Sequence, residues 1–248
     1  MKLVLAEPRY LKDSVTILSE LVNDVQMKIN EDQIEIVAMD PANVAMIIFK
    51  MMSSAFVEYN IEGEKTISIN LDNLKQVLRR SKSNDTVVLE LDEDKNRLKV
   101  QFKGEGTRTF YLGLLDMDEK EQKIPDLSFT AKVDMGALAF DEAVGDMDII
   151  SDSVSFTGED NELRVQAVGN VNEGSVVIGN DEETSIILDS ESVKSRYSVE
   201  YLKKIIKGGK LSDKINLQFS QDYPLKIEYR VKDILQFTTI LAPRVDVN

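Results

Sequence analysis

Side chains that carry out covalent chemistry are scarce in this sequence, and that scarcity is the first constraint on function. The 248 residues include no cysteine and no histidine. That removes thiol nucleophiles, histidine-based triads, Cys/His zinc sites and disulfides. Carboxylates are plentiful, with 44 Asp and Glu against 30 Lys and Arg for a net charge of −14. Pairs of acids therefore arise by chance, and none stands out as an acid–base constellation. Three motif-like stretches fail on their spacing. Asp92-Glu93-Asp94-Lys95-Asn96 opens like a calcium loop, but its sixth position is Arg97 rather than Gly and its twelfth is Lys103 rather than Glu. Gly104-Glu105-Gly106 leads into a strand pattern, not the helix that a pyrophosphate cradle needs. Lys207-Gly208-Gly209-Lys210 is followed by Leu211 where a phosphate loop places Ser or Thr. No catalytic residue, metal site or cofactor is expected.

What does carry a signal is a pattern of bases. Lys75, Arg79 and Lys82 fall at i, i+4 and i+7, opposite the apolar positions of a predicted helix, and Lys203, Lys207 and Lys210 repeat the pattern 128 residues later. With Arg80 and Lys204, windows 75–82 and 203–210 hold eight bases and no acid. A single such face is most often a solubilising one, helped by the helix dipole. A matched pair in an acidic chain points instead to a polyanion held by its phosphates, without reading of bases. Lys12 and Arg9 add to it from an earlier predicted helix.

The elements that position these bases come in two tandem copies. Asn70–Arg79 aligns with Ser198–Lys207, Asn84–Leu89 with Ser212–Leu217, and, after one deletion, Leu98–Val100 with Leu225–Ile227. Apolar spacing predicts helices over 8–22 and 71–82, and the repeat places a counterpart of the first around 136–147. Period-two alternation, as in Val25/Met27/Ile29, Leu163/Val165/Ala167 and Ile215/Leu217/Phe219, predicts antiparallel strands with one buried face. The fold class is therefore α+β. The copies are expected at 1–115 and 128–248, joined by a charged segment at 116–127 whose apolar island is Ile124-Pro125. The longest apolar run, Val44–Phe49, is too short to span a bilayer, and no signal-peptide cleavage pattern precedes Glu7. The expectation is a soluble, cytoplasmic protein (nuclear in a eukaryote) with no membrane partner.

Several longer stretches together resemble one family. They are Ala38-Met39-Asp40-Pro41-Ala42-Asn43-Val44-Ala45-Met46, Ile124-Pro125, Ile150–Val154, Tyr197–Leu202, Tyr223–Tyr229 and the ending Leu241-Ala242-Pro243-Arg244-Val245. In these the chain is similar to the sliding DNA clamps of the PCNA family, its archaeal members above all. The resemblance implies a non-enzymatic processivity factor for DNA polymerase. A homotrimeric ring of clamp domains would encircle duplex DNA irrespective of sequence, with helices lining the hole and antiparallel sheets outside. It implies that Lys12, Lys75, Arg79, Arg80, Lys82, Lys203, Lys204, Lys207 and Lys210 face the DNA. Against the family's habit, the helix around Gly136–Met147 carries Asp141, Glu142 and Asp146 and no base, which implies an uneven lining and a tilted DNA path. Partner enzymes (DNA polymerase, clamp loader, flap endonuclease and DNA ligase) would dock a helical turn with aromatic plugs, the PIP box. Its socket would comprise Met39, Asn43, Val44, Met46, Ile124, Pro125, Pro224, Ala242 and Pro243. Ring closure would join edge strands containing Thr109, Phe110 and Tyr111 on one subunit and Val176, Val177 and Ile178 on the next; the alternative is that both strands are internal. The rival functions are a subunit of a heterotrimeric or checkpoint-type clamp and, less favoured, a carboxylate-metal nuclease.

Overall fold

The computed structural model describes residues 1–118 and 122–245. The middle of the expected connecting segment, residues 119–121, lies outside the described residues. The chain divides into two compact units. The first comprises Met1–Pro41, Ile47–Lys123 and Val231–Phe237, and the second Ala42–Met46, Ile124–Arg230 and Thr238–Asn248.

The first unit runs β1 (Lys2–Leu5), α1 (Arg9–Leu18), β2 (Asp24–Ile29), β3 (Gln33–Met39), β4 (Ala45–Met52), β5 (Glu58–Asn60), β6 (Lys65–Asn70), α2 (Leu71–Leu78), β7 (Thr86–Asp92), β8 (Arg97–Lys103) and β9 (Thr107–Gly113). One sheet has the order β5-β1-β7-β8-β9; in the other, β4, β3, β2 and β6 are successive neighbours. Pairing is antiparallel, for example Leu3 opposite Leu89 and Val100 opposite Phe110. Alternating residues such as Val25, Met27 and Ile29 point into the core, each under 10 % exposed. α1 and α2 pack side by side. α2 buries Leu71, Leu74, Val77 and Leu78, each contributing about 1.5–3 kcal/mol relative to an exposed position. Its start is capped by Asn70, whose side chain accepts from the Asn73 amide at 3.0 Å.

The second unit repeats that order with β10 (Ala131–Gly136), α3 (Ala137–Asp148), β11 (Ser153–Glu159), β12 (Glu162–Val168), β13 (Glu173–Gly179), β14 (Ser185–Leu188), β15 (Ser192–Ser198), α4 (Val199–Ile205), β16 (Lys214–Phe219), β17 (Leu225–Val231) and β18 (Leu235–Leu241). Its sheets have the orders β13-β12-β11-β15 and β14-β10-β16-β17-β18. Strand for strand these match β4-β3-β2-β6 and β5-β1-β7-β8-β9, so the 128-residue repeat is a repeat of topology. Five aromatic rings, Phe140, Phe156, Tyr197, Phe219 and Tyr229, are fully buried here. Three of them stack edge-on against Phe156 with centroids 5.4–6.1 Å away.

Two helices are shorter than the apolar spacing predicts. α1 stops at Leu18, because the Ser19 hydroxyl donates to the Thr16 carbonyl and residues 19–21 form a turn. α2 stops at Leu78 rather than 82. The Ser81 hydroxyl donates to the Leu78 carbonyl at 2.7 Å, and the Lys82 amide donates to the Asp85 carboxylate at 2.6 Å. Lys82 therefore lies beyond the helix, not on it. Likewise Lys207 and Lys210 lie on a 3-10 turn, Ile206–Lys210, that follows α4. That turn is tight because Gly208 rests on the ring of Tyr229, which a Cβ would overlap.

Candidate nucleic-acid and partner surfaces

The bases of the first unit gather where α1 begins and α2 ends. Lys12, on α1, makes its backbone bond to the Pro8 carbonyl at 3.0 Å and lines an open cleft of about 270 Å³ with Arg9 and Lys82. Lys75 is held at 2.7 Å by Asp72 and at 3.0 Å by the Ser19 hydroxyl. Arg79 and Arg80 are exposed at the end of α2, and Arg79 makes no ion pair among the described residues. Lys82 reaches Glu105 at 2.9 Å. Two residues outside the predicted set organise this corner. Asp85, 2 % exposed, accepts from the Lys82 amide and from the Arg108 guanidinium, and Arg108 also donates to the Arg80 carbonyl at 2.7 Å. The Lys82 amide first, then Arg108, hold the Asp85 carboxyl below its usual range. Gly104 makes room for it, since a Cβ there would meet the carboxylate. Asp85 and Arg108 stand 23 residues apart in the chain, and no local pattern links them.

In the second unit the equivalent bases again have acidic partners, and α3 adds further acids beside them. Lys203 bonds Asp148 on α3 at 2.7 Å, and Lys204 bonds Glu200 at 3.1 Å while lying 5.2 Å from the Tyr201 ring centre. Lys207 and Lys210 are exposed. The outer face of α3 shows Asp141, Glu142, Asp146 and Asp148 to solvent. The two helix pairs thus share a fold and differ in charge.

The residues expected to receive a partner peptide fall on five stretches of the chain. Met39 ends β3 in the first unit, half-buried. In the second unit, Asn43 takes the left-handed conformation at φ 58°, which Asn tolerates, and so turns the chain between Pro41 and Val44. Val44 is half-buried, whereas Met46 is only 6 % exposed and lies in the core of β4 rather than on an open surface. Ile124 is 44 % exposed and Pro125 exposed. The Tyr223-Pro224 corner is fixed by the buried Tyr197, whose hydroxyl donates to the Tyr223 carbonyl at 2.8 Å, and by the Ser195 hydroxyl at 3.2 Å. Ala242 and Pro243 are half-buried, and the Ala242 amide donates to the Val44 carbonyl at 2.9 Å.

Of the strands expected to join subunits, β9 and β13 both end their sheets; neither is internal. On β9, Thr109 and Tyr111 face out, with the Arg97 guanidinium stacked 3.9 Å from the Tyr111 ring centre, while Phe110 turns inward 5.8 Å from Phe102. On β13, Val177 faces out at 46 % exposure between the half-buried Val176 and Ile178.

A helix-and-sheet unit present twice, with base-bearing helices and open edge strands among the described residues, defines the class: a tandem-domain α+β protein. The family model for the N-terminal domain of proliferating cell nuclear antigen matches residues 1–123, and that for its C-terminal domain matches residues 123–244. The chain belongs to the proliferating cell nuclear antigen family. It is 38 % identical over 229 residues to a DNA polymerase sliding clamp of Pyrococcus horikoshii, covering 92 % of either chain. It is 36 % identical to one of Nanoarchaeum equitans, covering 99 % of this chain and 100 % of the relative. The crystal structure of PCNA from Thermococcus kodakaraensis superposes with a TM-score of 0.92 at 28 % identity, over 98 % of this chain and 99 % of that one.

Proposed function

We propose that the chain is a DNA sliding clamp, the processivity factor that tethers DNA polymerase to its template. In this reading it is a non-catalytic, soluble protein. It acts by topology: a closed ring cannot leave a duplex sideways, so its contacts with phosphates need only be weak and sequence-blind. Lys12, Lys75, Arg79, Arg80, Lys82, Lys203, Lys204, Lys207 and Lys210 face the DNA. The excess of acid elsewhere repels the duplex from other surfaces. Partner enzymes, including the clamp loader, flap endonuclease and DNA ligase, dock on Asn43, Val44, Ile124, Pro125, Pro224, Ala242 and Pro243 of the second unit.

The observation that carries the ring is a pair of open sheet edges, one in each unit. β9 ends a sheet of the first unit and β13 a sheet of the second, and neither has an outer neighbour among the described residues. Both are seven residues long, as is β15; β5, β14 and β6 at the remaining sheet ends have three, four and six, and β6 and β15 each lead directly into a helix, α2 and α4, whereas β9 and β13 do not. A second copy supplies the missing partner to each, in a head-to-tail contact that closes on itself and removes both exposed edges. Charge supports it. Arg80, Lys82 and Arg108 stand around the end of β9, while α3, packed on β13, presents Asp141, Glu142 and Asp146. Light scattering tests this directly: three copies of a 28.0 kDa chain give about 84 kDa. Loaded rings should remain on circular DNA and run off once it is linearised. A mass of one chain, or equal loss from both DNAs, would remove the proposal.

A further inference from the structure

We infer that Arg244 and Asp152 form a clasp that positions the C-terminal segment for partner docking; the inference rests on the docking surface proposed above. The segment Ala242–Arg244 is strapped to the second unit at two points. The Ala242 amide donates to the Val44 carbonyl at 2.9 Å, and the Arg244 amide to the Arg196 carbonyl on β15 at 2.6 Å. Amides two residues apart point the same way along an extended segment. Both therefore turn toward the body, and the intervening Pro243 has no amide to offer on either side. The strap lies across the half-buried Val44 and ends at Val245, which is 65 % exposed.

Two main-chain bonds alone hold a short extended segment loosely. The Arg244 side chain adds two more. Its Nη1 donates to the Asp152 carbonyl at 3.1 Å and its Nη2 to the Asp152 carboxylate at 2.8 Å. One guanidinium thus holds a single residue by main chain and side chain together, a fixed two-point grip that a lysine ammonium cannot reproduce. Asp152 is itself anchored, because the same carbonyl accepts from the amide of Val199, the first residue of α4, at 3.0 Å. The strap is therefore tied to the root of a helix rather than to a loose loop. A partner peptide that lies along Ala242 and Pro243 meets a surface already ordered and does not spend its own binding energy in ordering it. Arg244 and Asp152 are positioning residues: they touch the strap, not the peptide.

The test uses the full chain and a fluorescent peptide carrying a helical turn followed by two aromatic residues. Arg244→Ala should weaken binding by about fivefold, part of the loss expected for a charge-assisted bond near the surface. Asp152→Asn should weaken it less, because its carbonyl remains, and Arg244→Lys should fall between wild type and Arg244→Ala. Hydrogen exchange at the Ala242 amide, the other end of the strap, should quicken in Arg244→Ala at unchanged melting temperature and native mass. If Arg244→Ala binds as the wild type and exchanges no faster, the clasp is overturned while docking stands. If the wild-type protein itself binds no such peptide, the docking surface is withdrawn and the clasp's role goes with it.

Discussion

Asp85 and Arg108 join carboxylate to guanidinium across the corner where α2 ends and the edge strand β9 begins. The Lys82 amide completes the set at 2.6 Å. One buried acid thereby ends a helix, orients a base beside a sheet edge and fills the space left by Gly104. Its carboxyl titrates below its ordinary 3.8 in the folded chain, through the Lys82 amide first and Arg108 next. A lowered folded value means that the contribution is complete above 3.8 and is lost as pH falls through the folded value. Asp85→Asn should therefore lower the melting temperature at neutral pH and flatten its decline in acid below 3.8. Thermal melts of both proteins across that range check it; parallel curves would show that Asp85 adds nothing.

The charge difference between the helix pairs predicts unequal roles on DNA. Lys75→Ala with Arg79→Ala should reduce the slope of log affinity against log salt by about one for each phosphate no longer neutralised. Lys203→Ala with Lys207→Ala should reduce it less, because the exposed acids of the neighbouring α3, Asp141, Glu142, Asp146 and Asp148, already oppose phosphates there. Asp148→Asn should raise affinity by freeing Lys203. Fluorescence anisotropy on a duplex at several salt concentrations separates these outcomes.

Val177 stands at the middle of the unpaired strand β13, 46 % exposed and flanked by half-buried neighbours. Val177→Asp places a charge in the expected joint, where desolvating it is costly. Native mass should drop from about 84 kDa to 28.0 kDa with circular dichroism unchanged. A variant that keeps the larger mass would place the joint elsewhere.

Gly208 touches the fully buried ring of Tyr229 with no space for a Cβ. Gly208→Ala should destabilise the second unit by about 1–3 kcal/mol, the range for overpacking a closed site. Urea denaturation monitored by tyrosine fluorescence gives the number.

Much of this molecule is legible in the sequence because repetition and alternation are local signals. The offset of 128 alone puts Lys203 and Lys207 opposite Lys75 and Arg79, and Leu225/Ile227/Tyr229 announce a strand whose inward side is closed to solvent. Helix ends escape the pattern where a side chain intervenes. Ser81 and Asp85 end α2 through bonds that the apolar period does not encode, so Lys82 falls beyond it, and Lys210 falls on the 3-10 turn that Gly208 allows after α4. Met46 is of a type that suits an adaptable open surface, yet its position on β4 turns it into the core. The long-range pairs Asp85–Arg108 and Asp152–Arg244 are invisible in the sequence, since a charged residue in a chain this rich in charge carries no mark of its distant partner.

β9 and β13 are different strands, and in the proposed ring this has an effect beyond closing the joint. A ring linked by unlike edges admits no two-fold axis across its plane, so every subunit points the same way round. All copies of the Ala242–Val245 strap then emerge on the same side. The assembly has a front and a back, and whatever docks there approaches the duplex from one direction. In the proposed ring, orientation on the template, which the phosphate contacts cannot supply, would be fixed by the order in which two sheet edges meet.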